Sequence, residues 1–389
     1  MSWFAKMNFF IKSVNKALPL WYNRNVDGPG PSQNYLRRHY QLQVFDKLVE
    51  VLSNPKFVEN IFSTISIILV GYYIRKKNIV DEKSGKVISN LVLSVAIPAL
   101  AFKAFMVPIS NDTFTKGRNV FIFGFVAYVI LIVLGELFFV KEKGDRKTTL
   151  SVLTTFGSTT FFGIPIINGL LGATGVLYAN IFNLAYRVFL YSYGLIRMSG
   201  TKFEKKNLKS IFGNIIVIAT FAGLLIWLFQ GSLPQVSVMD PKTKEMVNVA
   251  FLRIDLTAPW LFKALTYLAD LSSPLAWLAI GITLGNISIA DAVKEKAAWY
   301  YSVVKLLFVP AIFVALIFAI NFFLPMGFEA AMGIIIMLAT PPATVAVAYA
   351  IKFDREAVLA SNVSLLATVL SILAIIFWIV VGQGIFAGL

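Results

Sequence analysis

The sequence contains no cysteine, and histidine occurs once, as His39. The absence of cysteine excludes disulfides and thiolate metal sites, and a single histidine outside the apolar segments excludes a histidine proton relay within them. No metal site and no cofactor are predicted. Charged residues make up only 14% of the 389 residues, whereas hydrophobic residues make up 58% and the mean hydropathy is +0.75. Such a composition is typical of an integral membrane protein.

The net charge of +15 does not indicate a nucleic-acid partner, because the basic residues lie between apolar segments and form no single run. Lysine and arginine concentrate in the loops after odd-numbered apolar segments, for example at 75–77, 141–147 and 205–206. Loops rich in these residues face the cytoplasm. Both termini are therefore predicted to lie outside the membrane, and the apolar segments are predicted to contact membrane lipid.

Ten apolar segments are long enough to cross a membrane, since a helix of about 20 residues spans a hydrocarbon core about 30 Å thick. The fold class predicted is therefore all-α and integral to the membrane, with ten transmembrane helices. The predicted spans are residues 58–74, 86–107, 119–140, 148–171, 175–196, 210–229, 258–285, 297–323, 329–350 and 356–385.

Four regions follow from these spans. Residues 1–57 form an N-terminal extension, 58–197 a first five-helix repeat, 198–209 a basic cytoplasmic linker, and 210–389 a second five-helix repeat. The first 25 residues contain no acid and mix aromatic residues with lysines. They predict an amphipathic helix at the membrane surface, with an organellar presequence as the alternative.

Prolines recur at a fixed interval in the two halves. Pro165 and Pro341 lie 176 residues apart, and Pro98 and Pro274 repeat that interval. Because each half has an odd number of spans, the second repeat is predicted to be inverted relative to the first. A proline within a span frees backbone groups that lipid cannot satisfy, so paired breaks indicate a hydrated binding site between the repeats.

The two predicted breaks carry the first candidate binding residues. Span four is interrupted at Gly163-Ile164-Pro165, after Ser158 and Thr159, and span nine at Thr340-Pro341-Pro342-Ala343-Thr344. The amino ends of the resulting half-helices present free N–H groups and the positive end of the helix dipole. They are predicted to bind a carboxylate.

A polar stripe in span five supplies further candidates. Asn180, Asn183 and Arg187 are three and four residues apart and share one helix face. Asn362 occupies the matching position in span ten when 358–363 is aligned with 176–181. The guanidinium of Arg187 keeps its charge when buried and requires an anion, which is either Asp270 or a substrate carboxylate.

Two other charges lie within spans and are candidates for proton coupling. Asp270 precedes Pro274 in span seven, and Lys305 lies in span eight. Both side chains can change protonation when they are removed from water.

Four motifs together resemble the auxin efflux carrier family, whose bacterial members include malate permeases. They are Gly71–Ile79, Ala96–Leu100, Phe161–Pro165 and Ser273–Ala276. The resemblance implies two inverted five-helix repeats whose fourth and ninth helices cross at their breaks, as in the bile-acid and sodium/proton antiporter folds. It also implies a small organic anion bound at the crossing. Where the family often has asparagine before the break, this chain has Ser158.

The function predicted is secondary active transport of a small organic anion by alternating access, coupled to protons or to the membrane potential. A carboxylate is expected, and a dicarboxylate such as malate would match two positive features. A non-transporting ligand sensor on the same fold and a cation/proton antiporter are the alternatives. An enzyme is not expected, because the spans contain neither a pair of carboxylates nor a serine and histidine set. A homodimer stays open.

Overall fold

The computed structural model describes residues 55–200, 213–241, 244–285 and 289–386. The predicted amphipathic helix and most of the basic linker lie outside these residues. Within them, six helical segments are long and apolar enough to cross a membrane, and they are Ser84–Ala104, Asn111–Phe138, Thr159–Ser199, Pro259–Gly285, Lys296–Ile320 and Ala357–Phe386. Two shorter apolar helices, Ile215–Phe229 and Phe328–Leu338, accompany them.

The first half of the described chain is helical. Its helices are α1 (Pro55–Lys76), α2 (Ser84–Leu91), α3 (Ile97–Ala104), α4 (Asn111–Phe138), α5 (Gly144–Thr155), α6 (Ile164–Phe189) and α7 (Leu195–Ser199). Gly172 interrupts α6 with φ 62° and ψ −154°, a conformation open to glycine. This kink lies between the predicted spans four and five.

The second half adds one hairpin to its helices. The elements are α8 (Ile215–Phe229), β1 (Gln235–Met239), β2 (Met246–Ala250), α9 (Ile254–Thr257), α10 (Pro259–Asp270), α11 (Ser272–Gly285), α12 (Ile289–Lys294), α13 (Lys296–Val303), α14 (Val309–Ile320), α15 (Phe328–Leu338), α16 (Thr344–Lys352) and α17 (Ala357–Phe386). β1 and β2 pair antiparallel, from Gln235 opposite Ala250 to Met239 opposite Met246. The hairpin departs from the all-α prediction and occupies the long polar segment between spans six and seven.

Wide π-helical turns precede three of the helices that carry a proline at their second position. The turns Val92–Ala96, Thr159–Gly163 and Val304–Phe308 lead into Pro98, Pro165 and Pro310. Proline has no N–H, and its ring collides with the carbonyl four residues earlier. A wider turn gives that carbonyl room, so these prolines bend the chain without ending the helix.

The break predicted at Pro165 is therefore misplaced. The non-helical residues of this span are Phe156, Gly157 and Ser158, and Pro165 lies in the first turn of α6. In span nine the break lies where the double proline predicted it, between the end of α15 at Leu338 and the start of α16 at Thr344.

Two sets of helices pack around the breaks. In the first set, α1 packs along α11, and α3 packs against α8 and α10. The second set consists of α4, α17 and the half-helices on either side of the two breaks, which are α5, α6, α15 and α16. Gly71 and Gly281 let α1 and α11 touch through their backbones, since a methyl group on Gly71 would lie 3.1 Å from the Cα of Gly281. Small residues allow such close helix crossings in membranes.

Candidate functional site

The two broken helices cross and are joined through their backbones. The amide of Ser158 donates to the carbonyl of Pro341 at 2.7 Å, and the amide of Ala343 donates to the carbonyl of Phe156 at 2.8 Å. Gly157 and Pro342 face each other in this short antiparallel bridge. The contact between the two breaks that the predicted crossing requires is therefore present, and the bridge satisfies backbone groups that the breaks release.

Gly157 is required where the chains approach each other. A Cβ at this position would lie 2.5 Å from Oγ1 of Thr340, a distance shorter than any normal contact, and 3.2 Å from Nζ of Lys305. The Thr340 hydroxyl is itself held by a hydrogen bond to the Met337 carbonyl at 2.6 Å. The crossing thus depends on the absence of a side chain at residue 157.

A cavity of about 220 Å³ lies beside the crossing. Polar, aromatic and aliphatic side chains share its walls. Its lining residues are Leu93, Ser94, Ser158, Thr160, Phe161, Tyr186, Arg187, Leu190, Tyr191, Asn214, Ile215, Ile216, Ala343, Thr344 and Val345. The cavity therefore contacts both broken helices, the turn before α3 and the start of α8.

Two helix amino ends reach the cavity wall. Ser158, Thr160 and Phe161 belong to the start of the turn that leads into α6, and Thr344 and Val345 form the first residues of α16. No side chain caps either start. The first amides of a helix have no partner within the helix and carry the positive end of its dipole, so both ends favour an anion.

Arg187 is the charged residue of the lining. Its side chain is buried, with 5% exposed. Its Nη1 and Nη2 atoms have no hydrogen-bond partner among the described residues. A buried charge without a partner costs several kcal/mol. The guanidinium is therefore placed to receive a bidentate anion, which would supply the missing hydrogen bonds.

Another part of the wall comes from the start of α8. The Oδ1 atom of Asn214 caps this helix by accepting from the amides of Ile216 at 2.9 Å and Val217 at 3.4 Å. Its side chain also interacts with the hydroxyl of Tyr191, one turn beyond Arg187. Tyr191 and Asn214 thus connect the helix that carries Arg187 to the other set of helices.

The predicted site residues separate into two groups. Ser158, Arg187 and Thr344 line the cavity. The others do not, and they are Thr159, Gly163, Pro165, Asn180, Asn183, Thr340, Pro341, Pro342 and Asn362. Asn183 contacts a residue of the cavity wall, since its Nδ2 lies 3.5 Å from Oγ1 of Thr160. Pro341 and Pro342 build the crossing bridge without facing the cavity.

Asp270 is not the partner of Arg187. Its carboxylate pairs with Lys103 at 3.0 Å, and its side chain is 58% exposed. It is the last residue of α10. The pairing of Asp270 with Arg187 that the sequence suggested is wrong, because the break before Pro274 turns this residue towards α3.

Lys305 lies at the crossing and not in the cavity. It is 1% exposed, and its ammonium donates to the carbonyl of Thr154 at 3.0 Å. Thr154 is the penultimate residue of α5, so the lysine contacts the carboxyl end of that half-helix.

Several lining residues were missed from the sequence. Asn214 had a readable signal, since asparagine directly before an apolar run is a typical helix cap. Ser94 precedes Pro98 by four residues, the position whose carbonyl loses its helical partner to the proline. No sequence signal indicated that the aromatic residues Phe161 and Tyr186 would line a cavity, because an aromatic side chain in an apolar helix is equally typical of a lipid-facing or core position.

Comparisons with known proteins find similarity to membrane transport proteins. A family model described as membrane transport protein matches residues 56–227 and 246–379. An uncharacterized transporter of Methanothermobacter thermautotrophicus is 22% identical over 334 residues, covering 83% of this chain and 97% of that protein. An uncharacterized transporter of Methanocaldococcus jannaschii is 22% identical over 226 residues, covering 56% of this chain and 66% of that protein.

Proposed function

Because this chain belongs to the membrane transport protein family, the auxin efflux carrier family that its motifs indicated, we propose that it is a secondary active transporter for a small organic anion. The observation that supports an anionic substrate is the buried position of Arg187. A guanidinium that is 5% exposed, lines a cavity and has no hydrogen-bond partner among the described residues requires a negative ligand.

The ligand class follows from the groups around the cavity. One carboxylate would bind Arg187 in the two-pronged geometry that guanidinium groups favour. The amino ends of the turn Thr159–Gly163 and of α16, neither of which has a side-chain cap, supply a second positive region. A dicarboxylate such as malate would use both. The cavity of about 220 Å³ limits the ligand to a small molecule.

The transport cycle proposed is alternating access. The helices form ten spans in two inverted five-helix repeats, in a plasma membrane with both termini outside. The set around the crossing carries the anion past the set formed by α1, α3, α8, α10 and α11. Tyr191 and Asn214 bridge the two sets at the cavity and must separate when the cavity opens on that side. Flux is coupled to protons or to the membrane potential.

A cation/proton antiporter fits the cavity less well. Such a protein needs an acidic residue to bind its cation, and no aspartate or glutamate is among the residues that line this cavity. The field of Arg187 and of two helix amino ends would repel a cation.

Counterflow in liposomes tests the proposal. Vesicles that contain the purified protein and are preloaded with unlabelled malate are expected to accumulate labelled malate transiently. Mono- and tricarboxylates run in parallel define the class. Binding of a carboxylate without any counterflow would instead identify a ligand sensor.

A further inference from the structure

A narrow cleft lies between the two sets of helices and shares no lining residue with the cavity at the crossing. Ile65 and Ile68 of α1 and Trp277 of α11 line it from the first set. Gly169 of α6 and Ile376 of α17 line it from the second set. The cleft therefore lies at the surface where the two sets meet.

The lining of this cleft is apolar, and isoleucine supplies most of it. No charged side chain is among the described residues that form it. Two of its isoleucines, Ile372 and Ile376, lie at the middle of α17, a helix long and apolar enough to cross a membrane. Their neighbours in the chain, Leu373 and Phe377, are 67% and 50% exposed. The middle of such a helix lies in hydrocarbon, so lipid chains and not water reach this cleft.

The size of the cleft favours a linear occupant. Its volume is about 40 Å³, against about 220 Å³ for the cavity at the crossing. A dry apolar cavity of about 150 Å³ holds a benzene molecule. This cleft is too narrow for a free ring compound, but it admits the single file of methylene groups in an acyl chain.

The face of α1 that lines the cleft ends at a basic cluster. Ile65, Ile68, Tyr72 and Lys76 are three, four and four residues apart and share this face. The Lys76 ammonium lies 5.6 Å from the centre of the Tyr72 ring, and basic residues flank it at 75 and 77. The helix rises about 12 Å from Ile68 to Lys76. Half of the hydrocarbon core is about 15 Å thick, so the lysine lies at headgroup depth when the isoleucines lie near mid-bilayer.

We propose that the cleft binds one anionic phospholipid, with an acyl chain between the two sets of helices and its phosphate at Lys76. Contacts with the isoleucines hold the chain. The ammonium of Lys76 attracts the phosphate and selects an anionic headgroup. The role of this lipid in transport rests on the proposed function. A fluid chain fills the surface between the two sets while one set moves past the other, where fixed side chains would leave a void or collide.

Contact quenching of Trp277 tests the site directly. Bromine atoms on an acyl chain quench tryptophan fluorescence only on contact, and Trp277 is 7% exposed and lines the cleft. Protein in vesicles of phospholipid brominated near the chain ends is compared with Trp277→Phe, and the difference separates this residue from exposed tryptophans such as Trp260. We expect most of the Trp277 emission to be lost. Full emission from Trp277 would overturn the proposal.

Two variants block the cleft from different helices. A Cβ at residue 169 would lie 3.6 Å from the nearest atom of Trp277, an ordinary contact, so Gly169→Val is accommodated and occupies part of the cleft. Ile376→Phe fills it from α17. Both should restore most of the Trp277 emission, whereas the control Leu373→Phe, outside the lining, should be quenched like the wild type. Quenching of Trp277 that persists in both blocked variants would overturn the proposal.

The headgroup is tested with brominated phosphatidylglycerol diluted into unbrominated phosphatidylcholine. Lys76→Gln should need about fivefold more of the anionic lipid for the same quenching of Trp277, as expected for the loss of one lysine near an anionic headgroup. The matched control is Lys263→Gln, which removes an exposed lysine that lies 5.0 Å from the ring centre of Tyr267 in α10. It should behave like the wild type. An equal requirement in Lys76→Gln and the wild type would contradict an anionic phospholipid bound at Lys76.

Malate counterflow in unbrominated vesicles connects the lipid to transport. Gly169→Val should slow counterflow several-fold and leave malate affinity unchanged, because residue 169 does not line the cavity at the crossing. If the wild type shows no counterflow, the proposed function fails, while the quenching of Trp277 still decides whether the lipid binds. Counterflow as fast in Gly169→Val as in the wild type would overturn the role of the lipid in transport.

Discussion

Ser158 and Pro341 are joined by a 2.7 Å hydrogen bond between the amide of one broken helix and the carbonyl of the other. The bond fixes the separation of two helix amino ends that line one cavity. Arg187 lines the same cavity. The positive guanidinium and the two helix amino ends therefore meet where the two broken helices cross. The crossing therefore joins the two halves of the described chain and forms part of the wall of the candidate binding site.

Gly157→Ala should disrupt this crossing. The new Cβ would lie 2.5 Å from Oγ1 of Thr340, so one of the two crossing segments must move. We expect a loss of about 1–3 kcal/mol in stability, as for other overpacked sites, together with loss of malate counterflow. Thermal unfolding in detergent and counterflow in liposomes measure the two effects.

Two variants control this prediction. Gly384→Ala adds the same methyl group in α17, where no atom lies within 4 Å of the new Cβ, and should leave stability and flux unchanged. Thr340→Ala removes the hydroxyl that collides and should partly restore Gly157→Ala. A Gly157→Ala protein as stable and active as the wild type would show that the crossing tolerates a side chain.

The sequence predicted one half of the crossing better than the other. Pro341 and Pro342 cannot continue a helix together, since two adjacent N–H groups are missing, and the break lies there. Pro165 was a false signal, because the wide turn at Thr159–Gly163 accommodates it. The true break at Gly157 depends on contact with Thr340, which is distant in sequence.

Asn214→Asp should weaken anion binding while leaving α8 intact. Aspartate caps a helix as well as asparagine does, so stability should be retained. The new carboxylate would lie on the wall of the cavity that contains Arg187. It would repel an anion and compete for the guanidinium, which predicts malate binding weaker by about tenfold or more.

Asn214→Ser provides the matched control. Serine also caps the helix but adds no charge. Its malate affinity should stay close to that of the wild type, and isothermal titration compares the two variants. Equal affinities for Asn214→Asp and the wild type would argue against an anion in this cavity.

Asp270→Asn should have little effect on binding. The pair with Lys103 is exposed, with side chains 58% and 23% accessible, and such pairs contribute at most about 1 kcal/mol. The pH dependence of malate uptake should also stay as in the wild type, as measured in liposomes at a series of pH values. Loss of the pH dependence in this variant would show that Asp270 takes part in proton coupling.

Trp378→Phe should destabilise the turn that carries Lys305. The indole Nε1 donates to the Leu306 carbonyl at 2.7 Å, which is the carbonyl that loses its helical partner to Pro310. Leaving it unpaired should cost about 1–3 kcal/mol in the free energy of unfolding. Pro310→Ala restores an amide there and should reduce the loss, and denaturation of the double variant measures this.

Spans were predictable because a membrane helix needs a long apolar run. Six helical segments of the described residues are long and apolar enough to cross a membrane, against ten predicted spans, and two of them, Pro259–Gly285 and Ala357–Phe386, nearly coincide with predicted ones. The cavity was not predictable as a whole. Its wall at Ser94 and Asn214 comes from helices distant in sequence from Arg187. Only the packing of the two helix sets shows which of many polar residues face one another.

The most direct measurement is isothermal titration of malate into the wild type, Arg187→Gln and the control Arg118→Gln. Arg118 is a partly exposed arginine of α4 that does not line the cavity. The account predicts that Arg118→Gln binds like the wild type and that Arg187→Gln binds at least about tenfold more weakly, since a hydrogen-bonded charge is lost. Equal affinity of Arg187→Gln and the wild type would contradict it.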